Sequence, residues 1–147
     1  MQDAEIFIRE IKKVLLMLTD RVAALIIKDK KLLFVAGYDE KFYWTPGGKI
    51  EGKESHETCL KRELYSELNI KVTSFKHYLT VMLPNQIKGG MQKNHYYLVQ
   101  YNGKIKPKQE ITKTIWYSKQ NFLDKDISVS EGFVNKVIPK LIEYNYL

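Results

Sequence analysis

The sequence predicts an α/β fold, a sheet covered by helices on two sides, and three observations carry that prediction. Short runs rich in Val, Ile and Leu alternate with helical patterns along the chain. Turn signals separate the runs, and no repeat or Pro/Gly/Ser-rich linker interrupts them. A chain of 147 residues is long enough to bury one substantial core without disulfides or a second domain.

The elements follow in order. Phe7, Ile11, Leu15 and Leu18 recur at helical spacing, with Arg9, Glu10, Lys12 and Lys13 elsewhere, so residues 4–18 read as an amphipathic helix. Its apolar face is expected to pack on its own domain, with a dimer contact or a cap over substrate as the alternatives. Residues 21–28 and 31–37 are nearly continuously apolar, which predicts two strands buried on both faces and joined by an Asp29-Lys30 hairpin turn.

After a break at Pro46-Gly47-Gly48 comes a helix from residue 54 or 55 to 68, with Ser55 as N-cap and Asn69 in the left-handed position after its end. Further strands are expected at 71–83, 94–101 and 114–117, separated by the loop 84–93 and by Asn102-Gly103. A last helical region covers 132–144, bent or restarted at Pro139.

Composition narrows the partners. Lys and Arg number 24 against 17 Asp and Glu, a net charge of +7, which favours a polyanion such as a nucleotide, RNA or an anionic surface. The single Cys59 excludes an intrachain disulfide and a multi-cysteine metal site and agrees with a reducing compartment, so the cytoplasm is expected. The N-terminus carries Asp3 and Glu5, and its apolar run, 14–18, is too short for a signal or a membrane span, so no membrane partner is expected.

One stretch carries chemistry. Gly37, Gly47, Gly48 and Gly52 surround a segment that feeds into a charged helix, where glycine lets backbone approach a ligand or metal. Glu63 and Glu67 are four apart and share a helix face. Such a like-charged pair costs roughly 0.2–0.5 kcal/mol, and Glu67 in the last turn also opposes the helix dipole. A hard divalent cation would offset both costs, since carboxylate oxygens suit magnesium. Arg62 offers a fixed fork for Glu54 or Glu51, while Leu60, Leu64 and Leu68 face the sheet.

The segment GKIEGKESHETCLKRELYSELNI resembles the Nudix signature: Gly48, Glu54, Arg62, Glu63, Leu64, Glu67 and Ile70 fall on it without a gap, preceded by Trp44-Thr45-Pro46-Gly47. The resemblance implies a Nudix-type α/β/α sandwich with a mixed sheet and an extra N-terminal helix, which divides the chain into a helix at 1–19 and a hydrolase domain at 20–147. Two positions depart from the pattern. Asn69 stands for the final glycine, a mild change because Asn tolerates the left-handed conformation. Ser66 stands for the first acid of a Glu-Glu pair, which implies one metal bound weakly, through water, or not at all.

Carried over by position, the resemblance implies that Glu67 and the Gly47 carbonyl ligate Mg2+ (or Mn2+), and that Glu63 is a ligand or the base that activates water. Glu54 and Arg62 organise the loop, and Gly48, Lys49 and Trp44 lie near substrate. Glu110 is a candidate extra ligand or base from outside the motif. Cys59 reads as packing. His56, His77 and His95 show no metal-site spacing and read as surface or strand-side residues. Phe42, Tyr43 and Trp44 fit either base stacking or core, and Tyr96, Tyr97, Tyr101 and Tyr117 read as strand formers.

The expected activity is pyrophosphohydrolysis of a small-molecule nucleotide, first a nucleoside triphosphate, oxidised or otherwise non-standard ones included. The alternatives are ADP-ribose, a nucleotide sugar, a dinucleotide or an RNA 5′ end, and a nucleotide-sensing or RNA-binding module with little turnover. Either a monomer or a homodimer fits.

Overall fold

The computed structural model describes residues 2–17, 19–38, 41–85 and 88–147, and for 14–17 the backbone alone. Twelve elements are assigned in it: α1 (Gln2–Met17), β1 (Thr19–Leu25), β2 (Ile27–Lys28), β3 (Lys31–Gly37), β4 (Gly47–Lys49), α2 (His56–Leu68), β5 (Lys71–Pro84), β6 (Met91–Asn102), β7 (Ile111–Ser118), α3 (Lys119–Asp124), α4 (Glu131–Lys136) and α5 (Ile138–Glu143).

The strands form two sheets. One is mixed, in the order β4-β1-β6-β5, with β1 parallel to β6 and antiparallel to β4, and β5 antiparallel to β6. The other is antiparallel, in the order β2-β3-β7. The single strand expected at 21–28 is therefore two: the chain breaks at Ile26 and changes sheet. Side chains keep alternating across the break, Val22, Ala24 and Ile26 into one core and Ala23, Leu25 and Ile27 into the other, so the pattern reads as unbroken. The hairpin itself is as expected, with Asp29 and Lys30 both left-handed (φ 51° and 58°), as a two-residue turn of the primed type requires.

Two cores lie on opposite sides of the strands. Leu60, Leu64, Leu68 and Ile70 pack with Val22, Ala24, Leu33, Val35 and Val99. On the far side Phe34 meets Tyr117 and Phe133 edge-on at centroid distances of 5.1 and 5.5 Å, among Leu32, Ile138 and Leu141 from the strands and C-terminal helices. The expected last helix is two short ones that part at Val137, with Pro139 in the first turn of α5, where its missing N–H is harmless.

Local chemistry defines α2. The Ser55 hydroxyl accepts from the Thr58 N–H at 3.1 Å, and Asn69 ends the helix at φ 60° with its own N–H donating to the Tyr65 carbonyl. The segment 47–49, expected as plain loop, pairs with β1 instead. Gly47 permits this: at φ 151°, a Cβ there would stand 2.2 Å from the Val22 carbonyl oxygen.

The N-terminal helix is present, but the described part of its apolar face, Phe7 and Ile11, does not pack on the domain as expected. Ile6, Phe7, Ile8 and Ile11 are 54%, 67%, 51% and 43% exposed. The Leu15 side chain and Leu18, part of the predicted apolar face, lie outside the described residues. Among the described residues no helix is long and apolar enough to cross a membrane.

Candidate active site

A pocket of about 670 Å3 opens where β1, β4 and β6 meet the end of α2. Of the residues singled out in the sequence, Trp44, Gly47, Lys49, Glu67 and Glu110 line it. Gly48, Glu54, Arg62 and Glu63 are not among its lining residues. Phe42 joins Trp44 on the wall, their rings 6.2 Å apart, whereas Tyr43 packs in the core beneath the C-terminal helices. Tyr96 and Phe133 supply further aromatic surface.

Glu67 is the decisive side chain. Helical geometry brings it from the last turn of α2 to the pocket edge, where it is only 4% exposed. Among the described residues one hydrogen bond reaches it, from the Gly47 N–H to Oε2 at 3.3 Å. Burial pushes its carboxyl up to about 8; the nearby charges of Glu63 and Glu110 add to the rise, and Arg21 and the Gly47 N–H oppose it. Glu63 presses against the backbone one residue on: a Cβ at Gly48 would meet its Cδ at 2.3 Å. Gly48 must therefore lack a side chain for Glu63 to sit where it does.

At the other end of α2 the charges are paired. Arg62 grips Glu54 with both arms, Nε to Oε2 at 3.2 Å and Nη2 to Oε1 at 2.6 Å. Those bonds, with the Glu51 N–H donating to Glu54 Oε1 at 2.8 Å, hold the Glu54 carboxyl down at about 2. The same guanidinium donates to Glu63 Oε1 at 2.7 Å and to the Lys49 carbonyl at 3.2 Å. One arginine thus ties the loop before α2 to the acid on its face, and its own pKa is raised by the bond to Glu54. Cys59 lies buried beneath, near the Gly48 and Lys49 carbonyls, its thiol pushed up to about 12 by burial. It is a packing residue and not a nucleophile.

Arg21 and Asn94 were not anticipated as pocket residues. Arg21 donates to the Thr45 hydroxyl at 3.3 Å and to the Thr45 carbonyl, and its charge opposes the rise at Glu67. A lone arginine in an otherwise apolar strand was the available signal. Asn94, 3% exposed, donates to the Gln92 carbonyl at 3.0 Å. Its neighbours in sequence gave no hint of a pocket position.

The histidines depart most from expectation. His56, His77 and His95 come from α2, β5 and β6 to one place: the His56 and His95 rings are 4.4 Å apart, and His77 and His95 share the Thr80 hydroxyl at 2.7 and 3.1 Å. His95, expected at the surface or on a strand side, is buried and bonds Asp20 at 2.9 Å. Long-range strand pairing creates this cluster, which no local spacing encodes.

The donor set at the pocket edge fits a hard divalent cation. Glu67 is a buried carboxylate with a single hydrogen bond, beside Glu63, Glu110 and the backbone of Gly47. Among the described residues no three Asp, Glu, His or Cys side chains form a metal cage by themselves. Magnesium does not need one, since it keeps several waters and completes its shell with substrate phosphates. Ser66, half-buried beside Glu67, adds no carboxylate.

A profile of the NUDIX domain matches residues 17–136. The chain belongs to the Nudix family. It is a Nudix hydrolase, and hydrolases of this family generally use a divalent metal, typically Mg2+. Solved structures share the fold at low identity. A NUDIX hydrolase from Nitrosomonas europaea aligns with TM-score 0.71 and 19% identity, covering 86% of this chain and 89% of its own. The MutT NUDIX hydrolase from Burkholderia pseudomallei aligns with TM-score 0.61 and 20% identity over 69% and 83%. The NUDIX domain of Shewanella oneidensis NrtR, complexed with ADP ribose, aligns with TM-score 0.66 and 18% identity over 86% and 88%. No curated protein sequence matches significantly. Helix α1 ends where the NUDIX match begins, so the family accounts for everything except that helix and the last residues.

Proposed function

We propose that this Nudix hydrolase cleaves a nucleoside triphosphate to the monophosphate and pyrophosphate, with Mg2+ or Mn2+, and that residues 20–147 are its catalytic unit. The observation that carries this reading is the under-bonded, buried Glu67 at the edge of an aromatic-walled pocket, with Glu63 and Glu110 beside it.

Glu67, Glu63 and the Gly47 carbonyl would hold the metal, which when bound would neutralise phosphate oxygens and acidify a water. The chain's own groups do the rest. Trp44 and Phe42 flank the base, and Lys49 and Arg21 face the phosphates from the pocket wall. Arg62 sets the orientation of the Glu63 carboxylate. Water then attacks phosphorus, a P–O bond forms, the anhydride P–O bond breaks, and pyrophosphate leaves. Glu63 takes the proton of the attacking water, with Glu110 the alternative acceptor.

A second reading, cleavage of ADP-ribose or another nucleoside diphosphate derivative, is favoured by one observation: the NrtR domain of like fold was solved with ADP ribose. A magnesium titration over a panel of nucleoside triphosphates, ADP-ribose, nucleotide sugars, dinucleotides and a 5′-triphosphorylated RNA separates the readings. Pyrophosphate release from a triphosphate supports the first, and turnover of ADP-ribose alone supports the second. No turnover of any, or a Glu63→Gln variant equal to the parent, would defeat both.

A further inference from the structure

The mixed sheet has two unlike faces. One contributes Arg21, Asn94 and Tyr96 to the pocket. On the other, α2 covers the inner strands, while the outer ribbon of β5 and β6 carries exposed side chains, Phe75 at 37% and His77 and Thr80 among them. The strand register sets His77 opposite Tyr97, Thr80 opposite His95 and Met82 opposite Lys93, so these share that face.

The rings there are contiguous. Phe75 and His77 lie 5.7 and 5.4 Å from Tyr97, and His56 at the start of α2 lies 5.8 Å from it on the other side. The Tyr97 hydroxyl and His56 Nδ1 share a hydrogen bond of 2.7 Å, which fixes the tyrosine ring in place.

Charge is distributed as unevenly as the rings. Residues 71–113, which run from β5 through β6 to the start of β7, contain eight lysines and a single acid, Glu110, so this segment holds the whole net charge of +7. The rest of the chain is balanced. Lys93, opposite Met82, shares the ring face, while Lys71 and Lys76, opposite Asn102 and Leu98, stand exposed on the reverse side of the edge strand β5.

We propose that this open face is a platform for single-stranded nucleic acid, separate from the nucleotide pocket, with bases stacked on Phe75, His77 and Tyr97 and phosphates drawn by Lys93 and by the positive charge along the edge strand β5. Aromatic rings on an uncovered sheet surface, beside excess positive charge, form the chemistry that recognises unpaired bases on a polyanionic backbone. An anionic lipid surface would want a broader apolar face than this patch, where imidazoles and hydroxyls alternate with the rings.

The test is fluorescence anisotropy with a labelled single-stranded RNA of about 12 nucleotides ending in a 5′ hydroxyl, without metal, on the full chain. The expected result is saturable binding whose affinity falls with salt at a log–log slope of about −2, the mark of about three neutralised phosphates. Phe75→Ala should weaken it by about tenfold or more, and Lys93→Glu, on the same face, should weaken it and flatten the slope. Nucleotide turnover should be unchanged in Phe75→Ala, which separates this face from the pocket. No binding at low salt, or binding that Phe75→Ala leaves intact, would overturn the proposal. So would capture of phosphatidylglycerol vesicles without RNA binding.

Discussion

The two ends of α2 hold carboxylates in opposite states. Ahead of the first turn, Glu54 takes both arms of Arg62 and a backbone N–H, and its carboxyl sits near 2. In the last turn, Glu67 has one long hydrogen bond in a buried place, and its carboxyl sits near 8. The helix thus carries one acid whose charge is satisfied by the protein and one whose charge needs a partner from outside. The first arrangement shapes a loop. The second is what the proposed cation site would look like before its cation arrives.

The largest expected effect comes from the unsatisfied end. Glu67→Gln should lower kcat/KM by on the order of 10³-fold, read in steady-state assays with magnesium. The same change should stabilise the metal-free protein at alkaline pH. A carboxyl raised in the folded state contributes stability that is fully present below about 4.5 and lost as pH rises through about 8. Melting scans in chelator at pH 5 and pH 8 should therefore show the parent losing more than the variant, by on the order of a few kcal/mol. A variant that loses activity without this gain would break the contrast between the two ends.

At the satisfied end the effect is smaller. Arg62→Lys keeps the charge but loses the fork on Glu54 and the bond to Glu63, and should cost about 10–100-fold in kcat/KM. Glu54 stays ionised down to about 2, so this clamp should not contribute a pH transition between 5 and 9. Between the ends, Trp44→Ala should raise KM about tenfold with kcat nearly held, since its ring lines the pocket and on the proposed reading would meet the base, away from the reacting phosphorus. Removing residues 2–17 should change the melting temperature least, by about 2 °C or less, because the apolar residues described on α1 are exposed. A larger loss on truncation, or a change of mass in solution, would assign that helix a partner.

Much of this contrast was legible in the sequence because it is local. Ser55, Asn69, the leucine stripe, the Glu54–Arg62 spacing and the Glu63/Glu67 pair all depend on helical periodicity alone. Glu110 was a candidate only through the family resemblance, and the fold brings it to the pocket beside Glu67. What depends on strand pairing stayed hidden. The change of sheet at Ile26 preserves the alternation of faces, so no residue marks it. The meeting of His56, His77 and His95 arises from register across β5 and β6 and from where α2 begins. Arg21 reaches the pocket because β1 runs beside β4. The apolar pattern of α1 gave its helix but could not say whether anything covers it.

The most direct test of the account is a Mn2+ titration followed by electron paramagnetic resonance, comparing the parent with Glu67→Gln. The account predicts saturable binding by the parent at neutral pH and its loss in Glu67→Gln. Undiminished Mn2+ binding by that variant would contradict it.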